Sequence, residues 1–230
     1  MKVSIVTAIL NSHEIVRRQI LYYNSLHLPE DVEIIFVDDG SEPPIQVFLA
    51  TNFQLRLLHT NDFRDWTQPA ARNFGVKEAL GEYVICIDID HILPRETIEM
   101  VLNTQYDVVR FKRFIGALDE RGVFTQDRDI LEQYGYSKDR GLRISAHGNS
   151  YAIKRELFLR LGGSQQKDHY PNRDEVPLKR QLKRLAKQGE INIIPDDDRP
   201  SIYMIPNGRY AGDKDANPFG MFHDLKRMTR

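Results

Sequence analysis

The chain predicts an α/β protein whose mostly parallel, Rossmann-like sheet is flanked by helices, with a smaller mixed region after it. Three observations carry that prediction. Four short, largely apolar runs in the first ninety residues read as strands: Lys2–Ala8, Val32–Val37, Gln54–Leu58 and Tyr83–Asp88. Helical patterns lie between the first and second of them and between the third and fourth. The runs lack the polar alternation of a half-exposed strand, so the sheet they build is covered on both faces.

Each element has its own local warrant. Asn11, with Glu14 three residues later, reads as a capping-box-like start for an amphipathic helix to about Leu26. The second strand ends in Asp38-Asp39-Gly40-Ser41, a turn composition. Pro69 suits a first helical position, and "AARNFGVKEAL" continues that helix until Gly81 stops it. The second half is less regular. Tyr106–Phe111 reads as a strand, Leu118–Gly122 as a turn and Ile144–Ile153 as another extended piece. Lys154–Leu161 reads as a short helix stopped by Gly162-Gly163. A basic amphipathic helix follows at about Leu178–Lys187, with Leu178, Leu182 and Leu185 on one face. Residues 206–222, rich in Gly, Pro, Asn and Asp, read as an irregular, flexible segment.

Composition narrows the function classes. The 230 residues suit one domain, 1–230, and 41% hydrophobic content is enough for a core. Thirty-two basic against thirty-three acidic residues remove the bulk electrostatic attraction that nucleic-acid binding uses. Exposed Lys and Arg on the basic helix read as a solvated face. The single cysteine, Cys86, lies inside an apolar run and reads as a small core residue. "MKVSIVTAIL" lacks the longer core of a signal peptide, and no run reaches the length of a transmembrane anchor; the expectation is a soluble, cytoplasmic protein.

The chemistry concentrates in "GEYVICIDID", where an apolar strand ends in Asp88 and Asp90. An Asp-x-Asp pattern alone says little, since three more occur: Asp127/Asp129, Asp196/Asp198 and Asp213/Asp215. Position separates the first, because ligands of open parallel sheets bind outside the carboxyl ends of the strands. Asp38 and Asp39 end another strand at that edge. Two such charges ~4 Å apart cost about 4 kcal/mol at an effective dielectric near 20. If the ligand also carries phosphates, a divalent cation held by hard oxygens resolves the repulsion.

"VSIVTAILNSHE", "EIIFVDDGS" and "ARNFGVKEALGEYVICIDID", in that order and spacing, resemble the nucleotide-binding half of the family 2 glycosyltransferases, of the GT-A fold. The resemblance implies a nucleotide-sugar-binding half over residues 1–95 and an acceptor and catalytic half over 96–230. It implies that Thr7, Ala8, Ile9 and Leu10 form part of the base and ribose site, with at least one of Asp38 and Asp39. Arg72 is expected beside the nucleotide, and Asp88, Ile89 and Asp90 at the diphosphate, with Asp88 and Asp90 as the metal pair. Where the family begins Pro-Thr-Tyr-Asn, this chain has Ala8-Ile9-Leu10-Asn11, which lacks the aromatic and leaves the nucleotide base open. Asp174-Glu175 stands where the family has a Glu-Asp pair, placing Glu175 at the general base, with Asp174 as the fallback. His223 falls where related enzymes supply a third metal ligand; His91 and His147 are weaker candidates, and Trp66 could stack on a sugar or base.

The expected activity is metal-dependent, inverting transfer of a hexosyl or N-acetylhexosaminyl group. The donor is a nucleotide sugar, UDP-sugar favoured, and the metal Mn²⁺ or Mg²⁺. The acceptor is a hydroxyl of a glycan, a lipid-linked sugar or another molecule. Two rivals stand beside this. A sugar-1-phosphate nucleotidyltransferase should carry a basic, glycine-rich loop after its first strand, which "TAILNSHE" lacks. A non-catalytic nucleotide- or glycan-binding protein would keep the first-half motifs and lose the base.

Overall fold

The computed structural model describes residues 1–64, 67–134, 136, 141–146, 148–165 and 175–205. Trp66, His147, Asp174, His223 and the segment 206–222 lie outside them.

The elements run in the order β1 (Val3–Ile9), α1 (His13–Leu26), β2 (Val32–Asp38), β3 (Gln54–His59), α2 (Gln68–Glu78), β4 (Tyr83–Asp88), β5 (His91–Ile92) and α3 (Arg95–Leu102). The short strands β6 (Val108–Arg110), β7 (Lys112–Ile115), β8 (Ala117–Leu118) and β9 (Phe124–Thr125) follow, then α4 (Arg128–Gln133) and β10 (Arg143–Ile144). The chain continues through β11 (Tyr151–Lys154), α5 (Arg155–Arg160), α6 (Glu175–Lys187) and β12 (Ser201–Met204).

Six strands form the main sheet in the order β3-β2-β1-β4-β11-β6. The first four are mutually parallel and β11 runs antiparallel between β4 and β6. A second sheet has the order β10-β7-β12-β5, and β8 pairs with β9. The expected mostly parallel sheet is present.

Both faces of the main sheet are covered, and strand alternation shows how. Val3, Ile5 and Ile9 of β1 join Ile34, Phe36, Ile85 and Ile87 in one core with Ile15, Ile20 and Tyr23 of α1 and Ile98 and Val101 of α3. Val6 and Ala8 join Ile35, Val37, Val84 and Cys86 in a second core with Ala71 and Val76 of α2, Phe158 of α5 and Leu178, Leu182 and Leu185 of α6. Burial pushes the Cys86 thiol up to about 11, as expected of an inert core residue.

Three local expectations change. Asn11 does not cap α1: Ser12 holds that position without a side-chain cap bond, and Asn11 adopts a left-handed φ of 49°. The Asn11 side chain accepts instead from the Glu42 amide at 2.9 Å, and its own amide donates to Ser41 Oγ at 2.8 Å. Glu14 pairs within α1 with Arg17 and Arg18, each at 2.8 Å, so neither half of the expected box serves the cap. The extended piece expected over 144–153 divides between two sheets, β10 against β7 and β11 against β4 and β6. The basic helix begins at Glu175 rather than near Leu178, because Pro177 is tolerated in a first turn.

One glycine fixes the seat of α2. A Cβ on Gly75 would lie 2.6 Å from Val6 Cγ1 and 2.7 Å from Val37 Cγ2, so the helix backbone rests directly on β1 and β2. Alanine there gains about 1 kcal/mol in helix propensity but overpacks against two β-branched side chains, at a cost of about 1–3 kcal/mol. The sheet cannot yield easily, so the clash outweighs the gain. Gly75→Ala is expected to lower unfolding stability by about 1–2 kcal/mol in urea denaturation; an unchanged midpoint would show that α2 is not seated through this contact.

Candidate functional site

The carboxyl edge of the parallel strands carries the polar groups. Register sets Asp38 of β2 beside Ile9 of β1, and Asp88 of β4 beside Ala8. The two carboxylates therefore flank β1, about two strand spacings or ~10 Å apart. The four carboxylates expected to converge therefore divide into two pairs, Asp38 with Asp39 and Asp88 with Asp90.

Asp38 is turned inward. Its Oδ1 accepts from the Ser41 amide at 3.0 Å and its Oδ2 from the Ile45 amide at 2.8 Å, while His59 Nδ1 lies 3.3 Å away. It organises the loop after β2. Asp39 accepts from Thr60 Oγ1 at 3.0 Å and Thr67 Oγ1 at 2.7 Å. Burial raises its carboxyl above the usual range, against the pull of those two hydroxyls. Between the pairs, Thr7, Ala8 and Ile9 are buried and Leu10 is 36% exposed, so Leu10 alone of these four presents an open side chain.

Asp88 meets a cation from the helix above. Arg72, 0% exposed on α2, donates from Nη2 to Asp88 Oδ1 at 2.7 Å, and Gln68 Nε2 donates to the same oxygen at 3.1 Å. Arg72, expected beside the nucleotide, is buried against Asp88 and orients that carboxylate.

Beyond Asp88 the chain turns through Ile89 and Asp90 straight into β5, so the aspartate pair joins the two sheets. His91 Nδ1 lies 2.6 Å from Asp90 Oδ1. The ligand atoms of Asp88, Asp90 and His91 all fall within 4.8 Å of one another. Two carboxylates and an imidazole form a donor set that fits a divalent first-row cation. The Asp90 carbonyl accepts from the Ile205 amide at 2.7 Å, which brings the end of β12 to the turn. Glu175 is the first residue of α6.

Sequence reasoning missed the supports. Gln19, 0% exposed on α1, donates from Nε2 to the Ile89 carbonyl at 2.6 Å and the His91 carbonyl at 3.3 Å. A signal existed, since Gln19 is a polar residue four places after Ile15 on the apolar face of α1. Gln68 was legible too, four residues before Arg72 on one helix face. Thr60 and Thr67 come from separate segments and carry no local signature.

The model of glycosyl transferase family 2 matches residues 4–154, which spans every strand of the main sheet and the whole aspartate edge. The chain belongs to this family. No curated protein sequence matches it significantly. Among solved structures it resembles the mannosyltransferase PcManGT from Pyrobaculum calidifontis, in complex with GDP-Man and Mn²⁺. The TM-score is 0.54 at 20% identity, over 88% of this chain and 56% of that one. It also resembles residues 1–349 of S. aureus TarS. The UDP complex gives a TM-score of 0.55 at 16% identity, over 90% of this chain and 61% of that one. The UDP-GlcNAc complex gives 0.55 at 16%, over 89% and 58%. These likenesses establish the GT-A glycosyltransferase fold, and the chain spans less than two thirds of each of those proteins. No helix among the described residues is long and apolar enough to cross a membrane.

The Asp39 shift has a pH consequence. As pH rises above the ordinary carboxylate pKa, the unfolded chain loses this proton while the folded protein retains it, so stability falls until the raised pKa is passed. Asp39→Asn removes that loss. The stability difference between variant and wild type is expected to move in the variant's favour from pH 3.5 to 7 in urea denaturation; a pH-independent difference would contradict the burial of this carboxyl.

Proposed function

We propose that the chain transfers a hexosyl or N-acetylhexosaminyl group from a nucleotide-diphosphate sugar to an acceptor hydroxyl, with a divalent metal and with inversion. The observation that carries this is the Asp88, Asp90 and His91 group at the carboxyl edge of the sheet, with ligand atoms within 4.8 Å of one another. A UDP-sugar is the favoured donor, and Mn²⁺ suits a donor set containing an imidazole better than Mg²⁺. PcManGT with GDP-Man and Mn²⁺, and TarS with UDP-GlcNAc, support a metal and a nucleotide-sugar donor by kinship of fold.

In this reading Asp90 is the direct metal ligand, because Asp88 Oδ1 already accepts from Arg72 and Gln68. His91, with Nδ1 2.6 Å from Asp90 Oδ1, adds an imidazole to the set. His223 supplies the further imidazole. When bound, the cation stabilises the departing diphosphate as a Lewis acid. Thr7, Ala8, Ile9 and Leu10 line the base and ribose region, where Asp39 can still accept from a ribose hydroxyl through its remaining lone pairs. Ile89 and Asp88 lie under the diphosphate. Glu175 removes the proton of the attacking hydroxyl, with Asp174 the alternative base.

Two substitutions separate these roles. Glu175→Gln is expected to cost roughly 10² to 10⁴ in turnover with donor binding kept, and full activity in that variant would remove Glu175 from the mechanism. Asp90→Asn is expected to lose metal-dependent nucleotide binding as well. A thermal-shift panel of nucleoside diphosphates with and without Mn²⁺ reads the binding directly. A ligand at ~100 times its Kd adds about 2.7 kcal/mol, a rise of roughly 5–10 °C for a domain of this size. A shift that needs both one nucleotide and the metal is the expected result; no shift from any nucleotide would overturn the proposal.

A further inference from the structure

A cavity of about 70 Å³ opens beside the aspartate edge, between β6, the approach to β11, and α6. Its polar lining is Arg110, Ser150, Lys179 and Arg199, with Phe111 and Leu182 among its apolar walls. Its place follows from register. Cys86, Tyr151 and Arg110 form one row across β4, β11 and β6. Arg110 thus ends its strand near the same sheet edge as Asp88, two strand spacings across and two residues short of it, roughly 12 Å away. β1 and β2 lie on the opposite side of β4. The helix that begins with Glu175 carries Lys179 and Leu182 into the cavity wall.

The hydrogen-bonding capacity here is unspent. Arg110 donates no hydrogen bond and forms no ion pair among the described residues. Burial and the neighbouring Arg199 both lower its pKa. Arg199 pairs with Asp196 through one terminal nitrogen, and its Nε is buried without a partner. Ser150 is 4% exposed, and its Oγ, like the Arg199 Nε, has no partner among the described residues. Two guanidinium groups sharing a half-buried cavity are unfavourable unless an anion joins them. Asp196 answers only part of that charge and is itself 83% exposed. Three cations and one carboxylate leave a charge of about two, which matches a phosphomonoester at neutral pH. Guanidinium forks and a hydroxyl are the donors that phosphate oxygens accept best. The volume is several times the ~10–15 Å³ one water requires, enough for a tetrahedral anion.

We infer that this cavity binds a phosphate group carried by the acceptor, so that the acceptor is a phosphate ester. The inference rests on the glycosyl-transfer reading for the word acceptor, but the phosphate site can be tested without it. The probe is glycerol 3-phosphate, titrated calorimetrically into the full chain in the presence of UDP and Mn²⁺, which occupy the donor site. Arg110→Gln is expected to weaken binding at least tenfold. Arg180→Gln, at an exposed position on the same helix outside the cavity, is expected to leave it within twofold. The UDP–Mn²⁺ thermal shift should be the same in both variants as in wild type. Equal weakening by both substitutions, or none by Arg110→Gln, overturns the inference. A second arm uses dihexanoyl phosphatidic acid below its micelle concentration. Binding equal to that of glycerol 3-phosphate supports recognition of the phosphate alone. Tighter binding, lost on Phe111→Ser, supports a lipid-borne phosphate. Failure of both probes overturns the site. Arg110-dependent phosphate binding without any UDP–Mn²⁺ shift would keep the site and sink the donor reading instead.

Discussion

A carboxylate that ends a buried strand must be answered by amides or by a cation, and the packing of this protein is arranged around one answer of the second kind. Arg72 reaches Asp88 at 2.7 Å from a helix whose Gly75 allows its backbone to rest on β1 and β2. A longer approach would leave the guanidinium short of its partner. Removing one member of a buried pair costs several kcal/mol, so the helix, the sheet and the aspartate turn are held to one relative placement. Gln68 reinforces that placement from the same helix face, and Gln19 secures the Ile89 and His91 carbonyls from the other side of the sheet.

This explains what the sequence disclosed and what it hid. The parallel strands were legible because burial on both faces removes polar alternation, and Val32–Asp38 and Tyr83–Asp88 appear nearly as read. The aspartates were legible because an abrupt change from apolar to acidic marks a strand end. The role of Arg72 was not, since a long side chain can turn toward either a ligand or its own protein. Asn11 misled for a related reason: an asparagine after a strand can cap a helix or take a left-handed turn, and only the distant Ser41 and Glu42 decide. The second sheet was hardest, because strands of two to four residues such as β5, β10 and β12 are too short for any period to show. Arg110, Ser150 and Arg199 meet only through tertiary structure.

The four carboxylates of the edge differ in exposure and in partners. Asp38 spends both oxygens on backbone amides and so shapes the loop beside β1. Asp39 keeps spare acceptor capacity in a setting that resists its charge, which suits a group that meets a hydroxyl better than one that meets a metal. Asp88 is neutralised in advance by Arg72. Asp90 lies beyond the sheet, beside His91.

The junction of the two sheets at Asp88–His91 also sets how the molecule breathes. The strands of the main sheet are deeply buried, whereas the four-stranded sheet is built from strands of two to four residues, and such short pairings are expected to open first. The smaller sheet meets the main sheet where β4 runs into β5 through the aspartate turn and where β6 runs into β7 through Phe111, and the Ile205 amide on the Asp90 carbonyl ties the end of β12 to that turn. Any local opening of the small sheet therefore separates Asp90 from Asp88. A ligand that engages both must favour the docked arrangement by the same free energy with which docking favours the ligand. Amide protection in β5 and β12 and occupancy at the aspartates are then two readings of one equilibrium.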